Sequence, residues 1–162
     1  LVEMNRTMYM KNLKKMFVLE SIPYIPELIS QLKVEGFQLA VASSSPVSQV
    51  SYILENWHLI QYFQAVITGD DVIKGKPEPD IFLKAARSVG VDPSLCVVIE
   101  DSLNGVMAAK NAHMKCIGLR NPNSGNQDLS KADILIDHFD DQTLHIIIDL
   151  LKVNNENEKE SS

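Results

Sequence analysis

From residue 26 onward the sequence alternates amphipathic segments of helix length with short apolar runs, and that alternation leaves few folds open. Residues 26–35 (PELISQLKVE) place Leu28, Ile29 and Leu32 at helical spacing, with Pro26 at the start and Gly36 where a C-terminal cap belongs. The β-prone run 37–45 (FQLAVASSS) follows and ends in small polar residues. Pro46 opens a second helix through about residue 56, with Val47, Val50, Ile53 and Leu54 on one face. AVIT (65–68) reads as a strand closed by Gly69, Asp70 and Asp71, and the loop 73–80 leads into a helix over 81–90 capped by Gly90. CVVIEDS (96–102) is the next strand, LNGVMAAKNA (103–112) a helix, and KCIGL (115–119) a strand. After the turn-rich NPNSGNQD come ILI (134–136) and a last amphipathic helix through about residue 151. Helix-length connections between strands require parallel pairing, with helices on both faces of the sheet. The runs CVVI and LAVA are apolar throughout, as strands covered on both sides should be. The pattern therefore predicts an α/β fold.

At 162 residues, 45% hydrophobic and 22% charged, the chain has the profile of one soluble globular domain. A net charge of −6 and no basic stripe argue against a nucleic-acid partner. No apolar run approaches the roughly 20 residues a membrane span needs. Cys96 and Cys116 both sit in apolar, strand-like runs, which favours buried thiols in a reducing cytoplasm over a disulfide. Two cysteines with no paired His argue against zinc, and the histidines at 58, 113, 138 and 145 share no ligand spacing. Residues 1–20 form a stretch rich in Met and Lys with helical character, and 153–162 (VNNENEKESS) reads as a disordered tail.

Open parallel sheets bind ligands outside the carboxyl ends of their strands, and the unusual polar residues fall there. Ser43, Ser44 and Ser45 follow the first strand, Asp70 and Asp71 the second, and Glu100, Asp101 and Ser102 the third. Lys76 lies in a loop stiffened by Pro77 and Pro79. Taken singly each has an ordinary role: turn chemistry and capping for the serines, capping or loop solvation for Asp70 and Asp71, a surface amine for Lys76. Glu100 and Asp101 would likewise suit the positive end of the following helix. Taken together, a hydroxyl, an amine and a carboxylate pair on one sheet edge can bind a phosphoryl group through Ser43 and Lys76 and a divalent cation through Asp101. Oxygen ligands with room for water suit Mg²⁺.

With LAVASSS (39–45), GKPEPDIF (75–82) and VVIEDSLNGVMAAKNA (97–112) in that order and spacing, the chain resembles the haloacid dehalogenase-like hydrolases. It is most similar to their sugar-phosphate phosphatases and β-phosphoglucomutase-like enzymes, over residues 20 to 150. The resemblance implies a three-layer, Rossmann-like parallel sheet. It implies that Ser43, helped by the backbone N–H of Ser44, holds the phosphoryl group and that Lys76 neutralises charge in the transition state. Asp101 would be a Mg²⁺ ligand, Glu100 would support the ion through its waters, and Ser102 and Gly105 would shape the loop and the close approach of the helix. In the family a buried strand ending Asp-x-Asp-Gly carries the attacking aspartate and the general acid and base. These 162 residues contain no such segment; ILIDHFDD (134–141) has the wrong spacing and no glycine. The resemblance thus divides the chain into a remnant of a helical cap (1–22), an α/β core (23–152) and the tail (153–162), with the usual central first strand missing.

The expectation is a cytoplasmic, Mg²⁺-dependent phosphatase of small phosphorylated metabolites. It would work through a phospho-aspartyl intermediate when intact and be catalytically incomplete as this chain alone. A longer or second polypeptide would supply the absent segment. Without that segment the strands ending at Ser43 and Glu100 would face each other with open edges, or close up. Pro46 after the serines leans toward phosphatases over mutases. A β-phosphoglucomutase and a non-catalytic module that retains phosphate and metal affinity are the alternatives. A response-regulator receiver is disfavoured because Lys76 precedes the main acidic pair.

Overall fold

The computed structural model describes residues 23–159, with side chains through residue 152. Its elements alternate in the expected order: α1 (Ile25–Val34), β1 (Ala40–Ala42), α2 (Val47–Asn56), β2 (Ala65–Ile67), α3 (Asp80–Val89), β3 (Val97–Glu100), α4 (Leu103–Asn111), β4 (Lys115–Leu119), β5 (Ile134–Ile136) and α5 (Thr143–Lys159). All strand pairs are parallel, as crossovers of helix length require. The strands form two sheets. β1 pairs with β2, and β3, β4 and β5 form the other in that order. No ladder joins β1 to β3, which matches the open edges expected for a missing central strand.

Helices cover both faces. Ile81, Phe82, Ala85 and Ala86 of α3 and Val106, Ala108 and Ala109 of α4 pack on one side, with Ile67, Val98 and Cys116 from the strands. The inward faces of Ala40, Ala42 and Ala65 join this cluster, so α3 lies across both sheets. On the opposite side Leu28 and Leu32 of α1 and Ile147 of α5 meet Ile117 and Leu119, and α2 contributes Val50 and Leu54 beside Ile29. Burying a Leu or Ile side chain contributes about 1.5–3 kcal/mol, so these two layers supply most of what holds the separate sheets together.

Differences from the expected elements are small and have local causes. The first strand contracts to three residues because the chain bends at Ser44 and Ser45 to start α2. Both α2 and α4 exit through a histidine with positive φ, His58 (54°) and His113 (59°), where glycine is the usual choice. Cys96 is only half-buried, Cys116 is fully buried, and both are free thiols. α5 runs to Lys159, past the end of its apolar periodicity and into residues read as an irregular tail. No Gly or Pro interrupts the backbone there. The cap remnant expected over residues 1–22 lies outside the described residues. No helix among the described residues is long and apolar enough to cross a membrane.

Candidate active site

The carboxyl ends of β1 and β3 bring Ser43, Lys76, Glu100 and Asp101 to one edge. The Ser43 N–H donates to the Ile67 carbonyl at 2.9 Å, so Ser43 is still in the β1–β2 ladder and its position is set by the sheet. Its Oγ accepts the Ser45 N–H at 3.2 Å, which leaves the hydroxyl proton free of that bond. Beneath this turn an ideal Cβ on Gly69 would lie 2.6 Å from the Ser44 carbonyl oxygen, so the serine loop needs glycine as its neighbour.

Asp70 and Asp71 serve the framework, as their ordinary role suggests. Asp70 Oδ2 accepts the Val47 N–H at 2.9 Å and caps α2 across 23 residues of chain. Asp71 Oδ2 accepts the N–H and the hydroxyl of fully buried Thr68, at 2.9 and 3.0 Å. Those bonds, the backbone one first, hold the Asp71 carboxyl below the ordinary value, helped by Lys84.

Lys76 is the bridge between the sheets. Its amine donates to the Ala42 carbonyl of β1 at 3.2 Å, pairs with Glu100 Oε1 of β3, and sits 4.7 Å from the centre of the Phe82 ring. The Lys76 and Glu100 side chains are each only 9% exposed. The other Glu100 oxygen accepts the Asp101 N–H (3.1 Å), the Ser102 N–H (3.3 Å) and the Ser102 hydroxyl (3.0 Å). Ser102 in turn accepts the Gly105 N–H at 3.0 Å and caps α4. A Cβ on Gly105 would overlap the Glu100 carboxylate, which explains the close helix approach. Glu100 is thus engaged by Lys76 and the α4 cap.

Asp101 points elsewhere. Its Oδ2 accepts the Asn121 side-chain amide at 2.8 Å and the Ser124 hydroxyl at 2.5 Å. Both bonds fall on one oxygen, so Oδ1 stays available to an incoming ligand. The 122–124 turn that presents Ser124 is tied to α4 through Gln127, which accepts the Leu103 N–H at 3.1 Å and donates to the Ser124 carbonyl at 2.9 Å. A polar cavity of about 470 Å³ opens beside Asp101, Asn121 and Gln127. Asn121 and Ser124 were not among the expected site residues. They lie 20 and 23 residues from Asp101 in a stretch whose Asn, Pro, Ser and Gly content reads only as turn.

Among the described residues no three His, Cys, Asp or Glu side chains gather into a ready metal site. Asp101, whose Oδ1 has no hydrogen-bond partner among the described residues, nevertheless fits Mg²⁺, which binds through one or two carboxylates with waters and substrate phosphate oxygens completing its shell.

The sequence profile described as haloacid dehalogenase-like hydrolase matches residues 2–119. The chain belongs to that family. Among these hydrolases it is similar to β-phosphoglucomutase of Bacillus subtilis, 34% identical over 139 residues that cover 86% of this chain and 59% of that enzyme. It is also similar to hexitol phosphatase B of Escherichia coli K12, 33% identical over 105 residues, 65% of this chain and 47% of the phosphatase. Among solved structures, a CbbY variant from Rhodobacter sphaeroides in complex with xylulose-(1,5)bisphosphate superposes with a TM-score of 0.68 at 35% identity. That match covers 72% of this chain and 53% of CbbY. The chain therefore spans between about half and three fifths of these relatives.

Proposed function

We propose that this chain is the core of a Mg²⁺-dependent phosphatase acting on small phosphorylated metabolites, above all sugar phosphates, through a phospho-aspartyl intermediate in its intact form. The observation that carries the proposal is the placement of Lys76. Its buried amine lies between the carbonyl next to Ser43 and the carboxylate next to Asp101. A phosphoryl group set at this edge would receive the Ser43 hydroxyl and the Ser44 N–H from one side and the Lys76 charge from the other. Asp101 Oδ1 would hold Mg²⁺, which when bound supplies positive charge against the phosphoryl oxygens. Glu100 keeps Lys76 in place and stands behind the metal position through Ser102 and the Asp101 backbone. The attacking carboxylate belongs to a segment outside these 162 residues, which hold no Asp-x-Asp. The remaining groups bind and polarise an ester without attacking it. Free thiols at Cys96 and Cys116 suit the cytoplasm.

A mutase is the second reading, favoured by the 34% identity to a β-phosphoglucomutase. Phosphate release from p-nitrophenyl phosphate and a panel of hexose, hexitol and pentulose phosphates separates the two. It should be measured with Mg²⁺ and with EDTA, for this chain and for the longest natural polypeptide that contains it. Mg²⁺-dependent release by the longer polypeptide, abolished by Ser43→Ala and Lys76→Ala, is expected, with none from this chain alone. Interconversion of β-glucose 1-phosphate and glucose 6-phosphate without release would establish the mutase. Turnover by this chain alone would overturn its incompleteness.

A further inference from the structure

The loop that carries Lys76 is tied to two helices, each time by a side chain that donates to a backbone carbonyl. At its start Lys84 of α3 donates to the Asp71 carbonyl at 2.8 Å. At its other end Asn111, the last residue of α4, donates from its side-chain amide to the Pro77 carbonyl at 3.0 Å, across 34 residues of chain. Between these ties the loop stands off the protein. Ile73 is fully exposed, and a Cβ on Gly75 would meet no neighbouring group within 4 Å. The Glu78 N–H then donates to the Gly75 carbonyl at 3.0 Å, which closes a turn with Lys76 and Pro77 at its centre. A tie on Pro77 therefore fixes the backbone from which the Lys76 side chain starts.

We infer that Asn111 is a positioning residue for Lys76. A lysine amine rides on a flexible four-carbon stem, so its place depends on the backbone at its root as well as on the groups at its tip. The Ala42 carbonyl and Glu100 hold the tip, and Asn111 holds the root. Proline brings no N–H, so its carbonyl is the backbone group by which Pro77 can be held. One helix serves both members of the ion pair. At the start of α4 Ser102 donates its N–H and its hydroxyl to Glu100, and at the end of the helix Asn111 reaches Pro77. Between them Val106, Ala108 and Ala109 are fully buried, which fixes α4 against the core. The helix is thus a rigid spacer that sets Glu100 and the Lys76 backbone at a constant separation. Asn111 itself is exposed, and water would serve its amide equally well, so the consequence of the bond falls on the loop. The positioning of Lys76 stands on this geometry alone; that it serves phosphoryl binding rests on the phosphatase reading.

The test follows hydrogen exchange of the Lys76 ammonium group by heteronuclear NMR of this chain, together with the affinity of the Mn²⁺-loaded protein for inorganic phosphate. At 9% side-chain exposure the parent ammonium should exchange slowly enough to be seen. Asn111→Ala should speed that exchange by about three- to tenfold, the equivalent of one net hydrogen bond, and weaken phosphate binding by a similar factor. Lys110→Ala is the control on the same helix: it removes the neighbouring ion pair with Asp133 and should leave exchange at Lys76 as in the parent. Unchanged Lys76 exchange in Asn111→Ala would overturn the inference. Equal acceleration by Lys110→Ala would overturn it too, since any loosening of α4 would then do the same. Faster Lys76 exchange in Asn111→Ala, with a parent that binds no phosphate, would uphold the positioning role and reject the phosphatase reading.

Discussion

Glu100→Ala is the substitution whose cost the structure defines most closely. The carboxylate accepts from Lys76 and from three donors at the start of α4, the Asp101 N–H, the Ser102 N–H and the Ser102 hydroxyl. At 9% side-chain exposure for both ion-pair partners, solvent cannot replace what is lost. Removing one partner of a buried pair costs about 3–5 kcal/mol, because the other charge stays buried alone. With a urea m-value of about 2 kcal/mol/M, that lowers the unfolding midpoint by about 1.5–2.5 M. Lys76→Met costs less, because the Glu100 carboxylate keeps its three α4 donors. The Lys76→Met/Glu100→Leu double variant should recover part of the loss, since it removes both desolvated charges together. A coupling energy of about 2 kcal/mol or more is expected from the cycle. Urea unfolding followed by circular dichroism, with all four proteins at one pH and salt concentration, measures it. A midpoint shift below about 0.5 M for Glu100→Ala, or additive single variants, would refute the claim that this pair joins the sheets.

Gly105→Ala sets two effects against each other. Helix propensity favours alanine by about 1 kcal/mol, but its Cβ would overlap the Glu100 carboxylate, and overpacking costs about 1–3 kcal/mol. The variant should unfold at lower urea concentration than the parent; a gain in stability would show that Glu100 moves freely. Asp133 is the most buried of the aspartates whose carboxyls are held below the ordinary value. Burial raises its carboxyl, but hydrogen bonds from Lys110 and the Cys116 N–H and the charges of Lys110 and Lys115 outweigh that and hold it below 3.8. A depressed native value means its contribution is full above the unfolded value and is lost as pH falls through and below it. Asp133→Asn should therefore flatten the stability profile below about pH 4, and an unchanged acid limb would contradict this. Burial first, then the Glu100 charge, pushes the Cys116 thiol up to about 12, so it should resist Ellman's reagent at pH 8 until unfolding. Cys96, half-buried, should be the thiol that reacts in the native protein.

Much of the framework was legible because it depends on local signals. KCIGL and ILI are strands with the expected ends, and Pro26, Gly36, Pro46 and Gly90 mark helix boundaries within a residue or two. Facing open edges for β1 and β3 were one of the two outcomes expected from the absent segment, and no ladder joins these strands. What escaped is long-range polar chemistry. Nothing periodic ties Asp70 to the start of α2, or Asn121 and Ser124 to Asp101, because such bonds depend on where two turns meet after folding. His58 and His113 in left-handed conformations have no signature either, since each stands where glycine would have announced the turn. Glu100 was expected to support the metal through its waters; what the sequence does not show is that its oxygens also accept from Lys76 and from the α4 cap.

The proposed phosphoryl and divalent-cation site joins Ser43, Lys76 and Asp101 at one edge of this fold. It is tested most directly by phosphorus-31 relaxation of inorganic phosphate in the presence of Mn²⁺, a paramagnetic substitute for Mg²⁺, with and without the protein. Added protein should broaden the phosphate signal beyond the effect of Mn²⁺ alone. Asp101→Asn should remove that enhancement by losing the cation, and Ser43→Ala should weaken it by loosening the anion. Broadening that is the same with or without protein, or that survives Asp101→Asn unchanged, would contradict the account.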